Sequence, residues 1–230
     1  MPASELPSNV HVSQHPCVLA KLSQLRSQST PPKDVKALIH EIGLLVASEA
    51  FAKGLSSAPG PTDKTPLGFD FQSHQITPAT ISIVPILRSG LGMVEAVQTL
   101  LPAPVPVHHL GLFREPVSLL PVEYYNNLPN HASSTGGASG PSELAIIVDP
   151  VIATGGTCAA AIATLREWGA RRIIVLSLVG AAPGVRAAAG EWSEGVEIWL
   201  AGVDEELTDR GMLKPGLGDV GDRLFLTIGK

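Results

Sequence analysis

Charged, aromatic and cysteine residues are all scarce in this chain of 230 residues. Only 16% of the residues are charged and 4% are aromatic, whereas 44% are hydrophobic, so the chain can bury a sizeable core and does not have the composition of a disordered protein. The net charge is -5 and the sequence contains no basic stripe, which argues against a nucleic-acid-binding protein. The two cysteines, Cys17 and Cys158, provide neither a disulfide framework nor the spacing of a zinc site.

Long hydrophobic runs are also missing. The longest apolar stretches, such as RIIVLSLVGAA, are too short to cross a bilayer, so no membrane association is expected. The opening residues, MPASELPSNVHV, lack the basic start and the apolar centre of a secretory signal peptide. Together with the low cysteine count, these features predict a cytoplasmic protein in a reducing compartment.

Apolar strands alternate with helical patterns along most of the chain. The length favours one domain, expected over residues 17–230. Uninterrupted apolar strands between amphipathic helices predict an α/β fold with a parallel, doubly wound sheet that is covered on both faces. The expected strands are TISIVPIL (80–87), PVHHLGLF (106–113), ELAIIVD (143–149), RRIIVLSLVGA (171–181) and VEIWLAGVD (196–204).

Three segments do not fit this alternation. Residues 1–16 are polar and rich in Pro and Ser, and we expect a flexible arm there. Residues 54–79 carry Gly, Pro, Ser and Thr and read as a loop region. Residues 114–142 are too long for an ordinary loop, so we expect an excursion with a hairpin in its first half and a mobile, Ser/Gly-rich second half.

The stretch AIIVDPVIATGGTCAAAIATLREWGA (145–170) carries the chemistry. Asp149 ends a strand at the sheet edge where ligands bind in doubly wound folds. Gly155 and Gly156 let backbone N–H groups converge at a helix start, and Thr154 and Thr157 add hydroxyls, which is a favourable arrangement for a phosphate. Asp149 suits ribose hydroxyls or a developing positive charge instead. A Gly-Gly-Thr turn alone would indicate only a capped turn, but the whole pattern is far more specific.

The motif has neither the lysine of a nucleoside-triphosphate P-loop nor the spaced glycines of a dinucleotide fold. VDPVIATGGT resembles the phosphoribosyl-diphosphate motif of type I phosphoribosyltransferases, and its Asp-Pro resembles the uracil phosphoribosyltransferase branch. VPILRSGLGMVEAV, HLGLFREP, PVEYYNNLP and KPGLGDVGDRLF resemble the same branch in the same order, over residues 15–230. The resemblance implies the type I sheet with a small hood and an excursion β-arm.

The implied reaction joins uracil to 5-phosphoribosyl 1-diphosphate and gives UMP and diphosphate, as in pyrimidine salvage. By this resemblance Asp149, Arg88 and Asp219 are the catalytic residues. The implied contacts of the phosphoribosyl diphosphate are Arg88, Arg114, Asp149, Pro150, Val151, Ile152, Ala153, Thr154, Gly155, Gly156, Thr157 and Asp219. Those of uracil are Leu213, Gly218, Asp219 and Val220, largely through backbone groups.

Several departures and additions accompany this resemblance. Met212-Leu213-Lys214 replaces a more aromatic and aliphatic run, and Lys214 raises the question of whether it contacts the base. Pro150 removes a second acid, so no direct metal ligand is expected and Mg²⁺ should be carried by the diphosphate. Residues 114–142 contain no lysine, and no general base is assigned. The resemblance also implies a GTP activator and a homodimer or homotetramer.

Two other functions stay open at this point. A regulatory module could keep the phosphoribosyl site without turnover, although Arg88, Asp149 and the Gly-Asp loop favour an enzyme. A phosphoribosyltransferase for another base is the second alternative. Formation of UMP, and a panel of bases, would distinguish them.

Overall fold

The computed structural model of the chain describes residues 6–115, 121–129 and 141–227. The elements, in chain order, are β1 (Val10–Val12), α1 (Pro16–Arg26), α2 (Pro32–Gly54), β2 (Ser56–Lys64), β3 (Asp70–Thr77), β4 (Ile81–Leu87), α3 (Leu91–Leu100), β5 (Leu110–Arg114), β6 (Pro121–Asn126), β7 (Leu144–Val148), β8 (Val151–Ile152), α4 (Gly156–Trp168), β9 (Arg172–Ala181), α5 (Ala182–Gly190), β10 (Val196–Asp204), β11 (Glu206–Leu207), β12 (Leu213–Lys214) and α6 (Val220–Phe225).

A central eight-stranded sheet organises the described residues. Its spatial order is β1-β10-β9-β7-β4-β5-β6, with the short β8 also paired to β9. All pairs are parallel except β5 with β6, which is antiparallel. All five residues of β7 are buried, as expected of a central parallel strand that is covered on both faces. The predicted α/β fold with a mostly parallel sheet is confirmed.

The two faces of the sheet are covered by different helices. Alternate residues of β4 point to opposite faces, so Ile81 and Ile83 pack with α2 and α3, whereas Val84 and Ile86 pack with α4 and α5. This division explains why the strands read as continuous apolar runs. It also leaves the carboxyl ends of β4, β7 and β9 at one edge, where the connecting loops meet.

The expectation of a flexible arm over residues 1–16 was wrong for residues 10–12. These residues form β1, which pairs in parallel register with β10, Val10 opposite Ile198 and Val12 opposite Leu200. A three-residue edge strand is stabilised by the backbone of its neighbour, so its own sequence carries little signal. Residues 1–5 lie outside the described residues.

The loop expected over residues 54–79 was also wrong. The segment forms an antiparallel hairpin of β2 and β3, with an irregular register between Pro59 and Thr62. Most of its residues are exposed, so no apolar alternation marks the strands in the sequence. Proline is tolerated at such a bulge or strand edge, which is why a Pro-rich segment can still form strands.

The expected excursion over residues 114–142 is only partly described. Its first half supplies β6, which pairs antiparallel with β5 and extends the sheet by one strand. The pairing runs from Leu110 opposite Asn126 to Arg114 opposite Pro121. The Ser/Gly-rich second half lies mainly at residues 130–140, outside the described residues, so its expected mobility stays a prediction. In the part of the chain that the structure describes, no helix has the length and apolar character needed to span a membrane.

Candidate active site

A cavity of about 410 Å³ opens at the carboxyl edge of the sheet. It lies between the ends of β4, β5 and β7, the loop that enters α4, and the segment that precedes α6. Of the predicted site residues, it is lined by Arg88, Asp149, Val151, Ile152, Ala153, Thr154, Gly155, Thr157, Gly218, Asp219 and Val220. The fold therefore brings together three stretches of the chain, Arg88, 149–157 and 218–220, which lie about 60 residues apart in the sequence.

Three of the predicted residues that the structure describes, Pro150, Gly156 and Leu213, do not line this cavity. Pro150 is buried beneath it, where its carbonyl oxygen accepts hydrogen bonds from the N–H groups of Leu178 and Val179 in β9. Gly156 begins α4, beside the lining residues Gly155 and Thr157. Leu213 borders a second cavity described below. Arg114 ends β5, and its side chain lies outside the described part of the structure.

Asp149 is a buried carboxylate directly after β7. Its side chain accepts a hydrogen bond from the hydroxyl of Ser89, at 3.0 Å from Ser89 Oγ to Asp149 Oδ1. Burial raises the pKa of Asp149 from 3.8 to about 7, and hydrogen bonds from Ser89 and the backbone of Val151 oppose that rise. A carboxyl group with such a pKa can bind hydroxyl groups and responds strongly to any positive charge that develops nearby.

The loop between β8 and α4 has the backbone geometry that an anion requires. Gly155 is the N-cap of α4 and has φ of 85°, a left-handed conformation that favours glycine. A Cβ atom on Gly155 would also lie 2.2 Å from the carbonyl oxygen of Gly184 in α5. Thr154 and Thr157 flank the turn and line the cavity. The N–H groups and positive dipole end of a 13-residue helix thus face the cavity.

The two adjacent glycines have different roles. The sequence predicts the same task for both glycines, that of letting backbone N–H groups converge at the start of the helix. Only Gly155 has a positive φ, whereas a Cβ on Gly156 would meet its nearest neighbour, Pro121 Cδ, at an ordinary 3.7 Å. The steric requirement therefore falls on Gly155.

Arg88 follows β4 and reaches across the cavity towards α6. Its exposed guanidinium group lies 3.4 Å from the Asp222 carboxylate (Nη2 to Oδ1) and 3.4 Å from the Thr227 hydroxyl (Nη1 to Oγ1). Sequence reasoning did not find Asp222 or Thr227, since residues 134 or more apart give no local signal of a contact. An arginine held by one long ion pair can turn to a bound anion at little cost.

Asp219 contributes to the cavity and also to local structure. It is exposed and lies at the N-cap of α6, where its Oδ1 accepts a hydrogen bond from the N–H of Asp222 at 2.9 Å. Val220, the next residue, is buried in the core. The Gly-Asp-Val sequence thus fixes the end of the loop and keeps a carboxylate at the cavity.

A second cavity of about 230 Å³ adjoins the first. The two share Val151, Ala153, Met212 and Gly218, which makes them neighbouring compartments. The remaining residues of the smaller cavity are Leu213, Pro215, Gly216 and Leu217. Most of this lining is backbone and apolar surface, which is suitable for a small planar heterocycle that is recognised by main-chain groups.

Lys214, the main departure in this segment, turns away from both cavities. Its ammonium group is 2.8 Å from the Glu206 carboxylate (Nζ to Oε2), across the β11–β12 pair, and both side chains are exposed. The hydrogen bond and charge of Glu206 raise the pKa of Lys214. The structure therefore gives Lys214 a partner on the surface, and Lys214 does not line the smaller cavity.

Aromatic side chains of the β5–β6 pair form the opposite wall of the large cavity. Phe113 and Tyr124 both line it, with ring centroids 6.1 Å apart. Gly111 allows Tyr124 its position, because a Cβ there would lie 2.7 Å from the ring. These aromatic residues were not predicted as site residues, although PVEYYNNLP was one of the stretches that carried the family resemblance.

Cys158, in the first turn of α4, is a packing residue. It is buried with its neighbours on the α4–α5 face of the sheet. Burial, and to a smaller extent the charge of Asp149, raises the pKa of its thiol well above the usual range. The lowered pKa that a helix start can give to a thiol is therefore absent here.

The family model for uracil phosphoribosyltransferase matches residues 12–227 of the chain. The chain belongs to the uracil phosphoribosyltransferase family. It is 44% identical over 218 residues to the uracil phosphoribosyltransferase of Roseiflexus castenholzii, a match that covers 95% of this chain and 98% of that one. It is 40% identical to the enzyme of the same name from Macrococcus caseolyticus, with coverages of 96% and 99%.

A solved structure has a similar fold over nearly the whole chain. The AQ2163 protein from Aquifex aeolicus superimposes with a TM-score of 0.83 and 28% sequence identity, covering 95% of this chain and 98% of that one. The loop Ala153–Thr157, the Asp149 carboxylate and the residues of the smaller cavity all lie within the part of the chain that the family match covers.

Proposed function

We propose that the chain is a pentosyltransferase that joins uracil to 5-phosphoribosyl 1-diphosphate and releases UMP and diphosphate. The observation that carries this proposal is the pairing of two compartments in a member of this family. One has a buried carboxylate beside a glycine-rich helix start, and the adjoining one is lined largely by backbone and apolar groups.

The large cavity is proposed to hold the phosphoribosyl diphosphate. The 5-phosphate would bind at the loop Ala153–Thr157, where N–H groups and the dipole of α4 favour an anion. The Asp149 carboxylate would bind the ribose hydroxyls, and Arg88 would exchange its ion pair with Asp222 for the diphosphate. Arg114 is a further proposed phosphate contact, from the end of β5.

The reaction develops charge at two places, and the site has a group of the opposite sign for each. A bond forms from a ring nitrogen of uracil to the anomeric carbon while the bond to diphosphate breaks, and the proton that this nitrogen loses ends on the released diphosphate. In the transition state positive charge therefore grows on the ribose ring and negative charge on the leaving group. Asp149 would stabilise the first and Arg88 the second. Electrostatic stabilisation by preorganised groups is usually the largest single contribution to catalysis.

The smaller cavity is proposed to hold uracil. Backbone groups of Leu213 and Gly218–Val220 would read its N–H and carbonyl groups, as the family resemblance implies. Asp219 would serve both compartments, because it lines the phosphoribosyl cavity and caps the helix that follows the base loop. Lys214 would have no part in base binding, because it is paired with Glu206.

Mg²⁺ is proposed to enter with the diphosphate. Pro150 leaves Asp149 without an adjacent carboxylate, and one oxygen of Asp149 already binds Ser89, so the protein groups fit an ion that is held mainly by substrate and water. When bound, the ion would neutralise charge on the leaving diphosphate. Asp219 is the exposed carboxylate in the cavity that could meet its water shell.

Three further expectations stay proposals. Activation by GTP and assembly into a homodimer or homotetramer are implied by the resemblance, and a cytoplasmic location is predicted from the composition and the opening residues. A non-catalytic regulatory module is not favoured, since the catalytic pair Arg88 and Asp149 is intact and curated relatives carry an enzyme name.

A panel of bases with labelled phosphoribosyl diphosphate tests this proposal. The purified chain, with Mg²⁺, should convert uracil to UMP and leave cytosine, hypoxanthine and adenine almost unused. Formation of a purine nucleotide instead would show that the chain is a phosphoribosyltransferase for a purine base. Donor binding without any nucleotide product would favour the regulatory module.

A further inference from the structure

A buried ion pair lies directly behind the smaller cavity. Arg26 is the last residue of α1, and Asp204 is the last residue of β10. Their side chains meet in a two-point contact, at 2.6 Å from Nη2 to Oδ1 and 3.1 Å from Nη1 to Oδ2. The Asp204 side chain is only 4% exposed and that of Arg26 is 22% exposed, so solvent screens this pair weakly.

Both partners of the pair also bind the backbone of Gly216. Arg26 Nη1 donates a hydrogen bond to the Gly216 carbonyl oxygen at 2.8 Å, and the Gly216 N–H donates to Asp204 Oδ2 at 2.9 Å. Gly216 lines the smaller cavity. The ion pair therefore fixes the orientation of the peptide groups on both sides of one residue in the proposed base loop.

No other residue fits at position 216 without strain. Its φ is +66°, and a Cβ atom there would lie 2.5 Å from the carbonyl oxygen of Leu213. The loop turns back on itself at this point, so a small rotation of the Gly216 peptide groups would displace both Leu213 and Gly218 at the cavity wall.

A second arginine fastens the neighbouring residue. Arg223 Nη1 donates hydrogen bonds to the carbonyl oxygens of Leu217 and Leu25, each at 2.7 Å. Leu25 adjoins Arg26 in α1, and Leu217 adjoins Gly216 in the loop. Two guanidinium groups from different helices thus hold two consecutive carbonyl groups of the loop against the end of α1.

The buried ion pair is not explained by its contribution to the stability of the fold. A buried ion pair is often no more stabilising than apolar side chains of similar size, because both charges lose their water. The ion pair does restrict the orientation of the peptide groups that it binds. Recognition of a ligand by backbone groups depends on that orientation, because no side-chain rotation can correct a misplaced peptide group. Sites of this kind need a supporting shell that holds the contacting groups in place.

We propose that Arg26 and Asp204 are positioning residues that set the base loop in its uracil-reading orientation, and thereby determine affinity and selectivity for the base. This inference rests on the proposed function, because it takes the smaller cavity to be the uracil compartment. Neither residue lines either cavity, so both would act through Gly216.

The test uses Arg26→Lys and Asp204→Asn in the full chain. Each variant keeps a polar partner but loses the two-point geometry, so the loop should shift and a backbone hydrogen bond to uracil should be lost. The KM for uracil should then rise by about tenfold, the usual effect of leaving one buried hydrogen-bonding group unpaired. The KM for phosphoribosyl diphosphate should change by less than about threefold, since its proposed contacts do not touch the pair. The preference for uracil over cytosine in kcat/KM should fall in both variants.

Leu22→Ala is the matched control. Leu22 lies one turn earlier on α1, is buried, and makes none of the contacts to Gly216. This variant should lose thermal stability, like the two test variants, while its KM for uracil and its base preference stay those of the wild type. If Leu22→Ala raises the KM for uracil as much as Arg26→Lys does, the effect is general loosening and the inference is overturned.

Hydrogen exchange in the wild-type chain provides a measurement that does not depend on variants. The Gly216 amide should exchange slowly, because it donates to a buried carboxylate. Rapid exchange at Gly216 would overturn the positioning role, and so would test variants with an unchanged KM for uracil. The proposed function would still stand in either case, provided that the wild type forms UMP. Failure of the wild type to form UMP would instead refute the proposed function.

Discussion

Replacing Asp149 by asparagine should have opposite effects on activity and on stability. The change keeps the size of the side chain and an oxygen that can accept the hydrogen bond of Ser89. It removes the negative charge that would face the ribose ring. Loss of one preorganised electrostatic group typically lowers kcat by about 10²–10³, and a fall of that size in the rate of UMP formation is the expected result.

The stability effect follows from the raised pKa of Asp149. Since the pKa is 3.8 in an unperturbed chain and about 7 in the fold, the native state prefers the neutral form, and ionisation costs stability as pH rises from 4 towards 7. One pKa unit corresponds to about 1.4 kcal/mol. The cost is therefore about 2 kcal/mol at pH 5 and about 4 kcal/mol at pH 8, the second value being an upper limit.

Asparagine carries no such cost, so the variant should be more stable than the wild type at pH 8, and the difference should shrink at pH 5. Urea unfolding of both proteins at the two pH values measures this difference. A variant that is less stable than the wild type at pH 8 would refute the assignment of a desolvated carboxylate. Near-native turnover would refute its catalytic role.

Three further predictions concern the same site. If ionised Asp149 is the active form, kcat/KM for phosphoribosyl diphosphate should rise with pH through about 7 and be about tenfold lower at pH 6 than at its plateau; a flat profile between pH 5.5 and 8 would contradict this. Gly155→Ala should unfold at a clearly lower temperature, because it combines a left-handed φ with a backbone clash, whereas Gly156→Ala should melt like the wild type; equal melting temperatures would show that the turn adapts. Lys214→Ile should leave the KM for uracil within about threefold, since no hydrogen bond to the base is lost, whereas Asp219→Ala should raise the KM values for both substrates; the reverse order in uracil kinetics would refute recognition by backbone groups.

The central sheet could be predicted because its strands are buried on both faces. Continuous apolar runs such as those of β4 and β7 admit few other structures when helices alternate with them. The hairpin of β2 and β3 could not be predicted, because its exposed strands have no apolar alternation and β2 contains prolines. The edge strand β1 is determined by its pairing with β10, which is a tertiary contact.

The site shows the same division between local and long-range information. Asp149 and the loop to Thr157 could be found from one contiguous motif, since strand end, turn and helix start are all local features. The partners of Arg88 could not be found from the sequence, because Asp222 and Thr227 lie near the other end of the chain. The surface role of Lys214 depends on the β11–β12 pairing, and the contacts of Gly216 depend on α1, about 190 residues away.

The position of the product in a crystal structure tests the central claim most directly. UMP soaked into or grown with the full chain should place its 5′-phosphate at the Ala153–Thr157 loop, its ribose hydroxyls at Asp149, and its uracil ring between Leu213 and Gly218. The account is contradicted if the phosphate binds away from that loop, or if the uracil ring lies outside the smaller cavity.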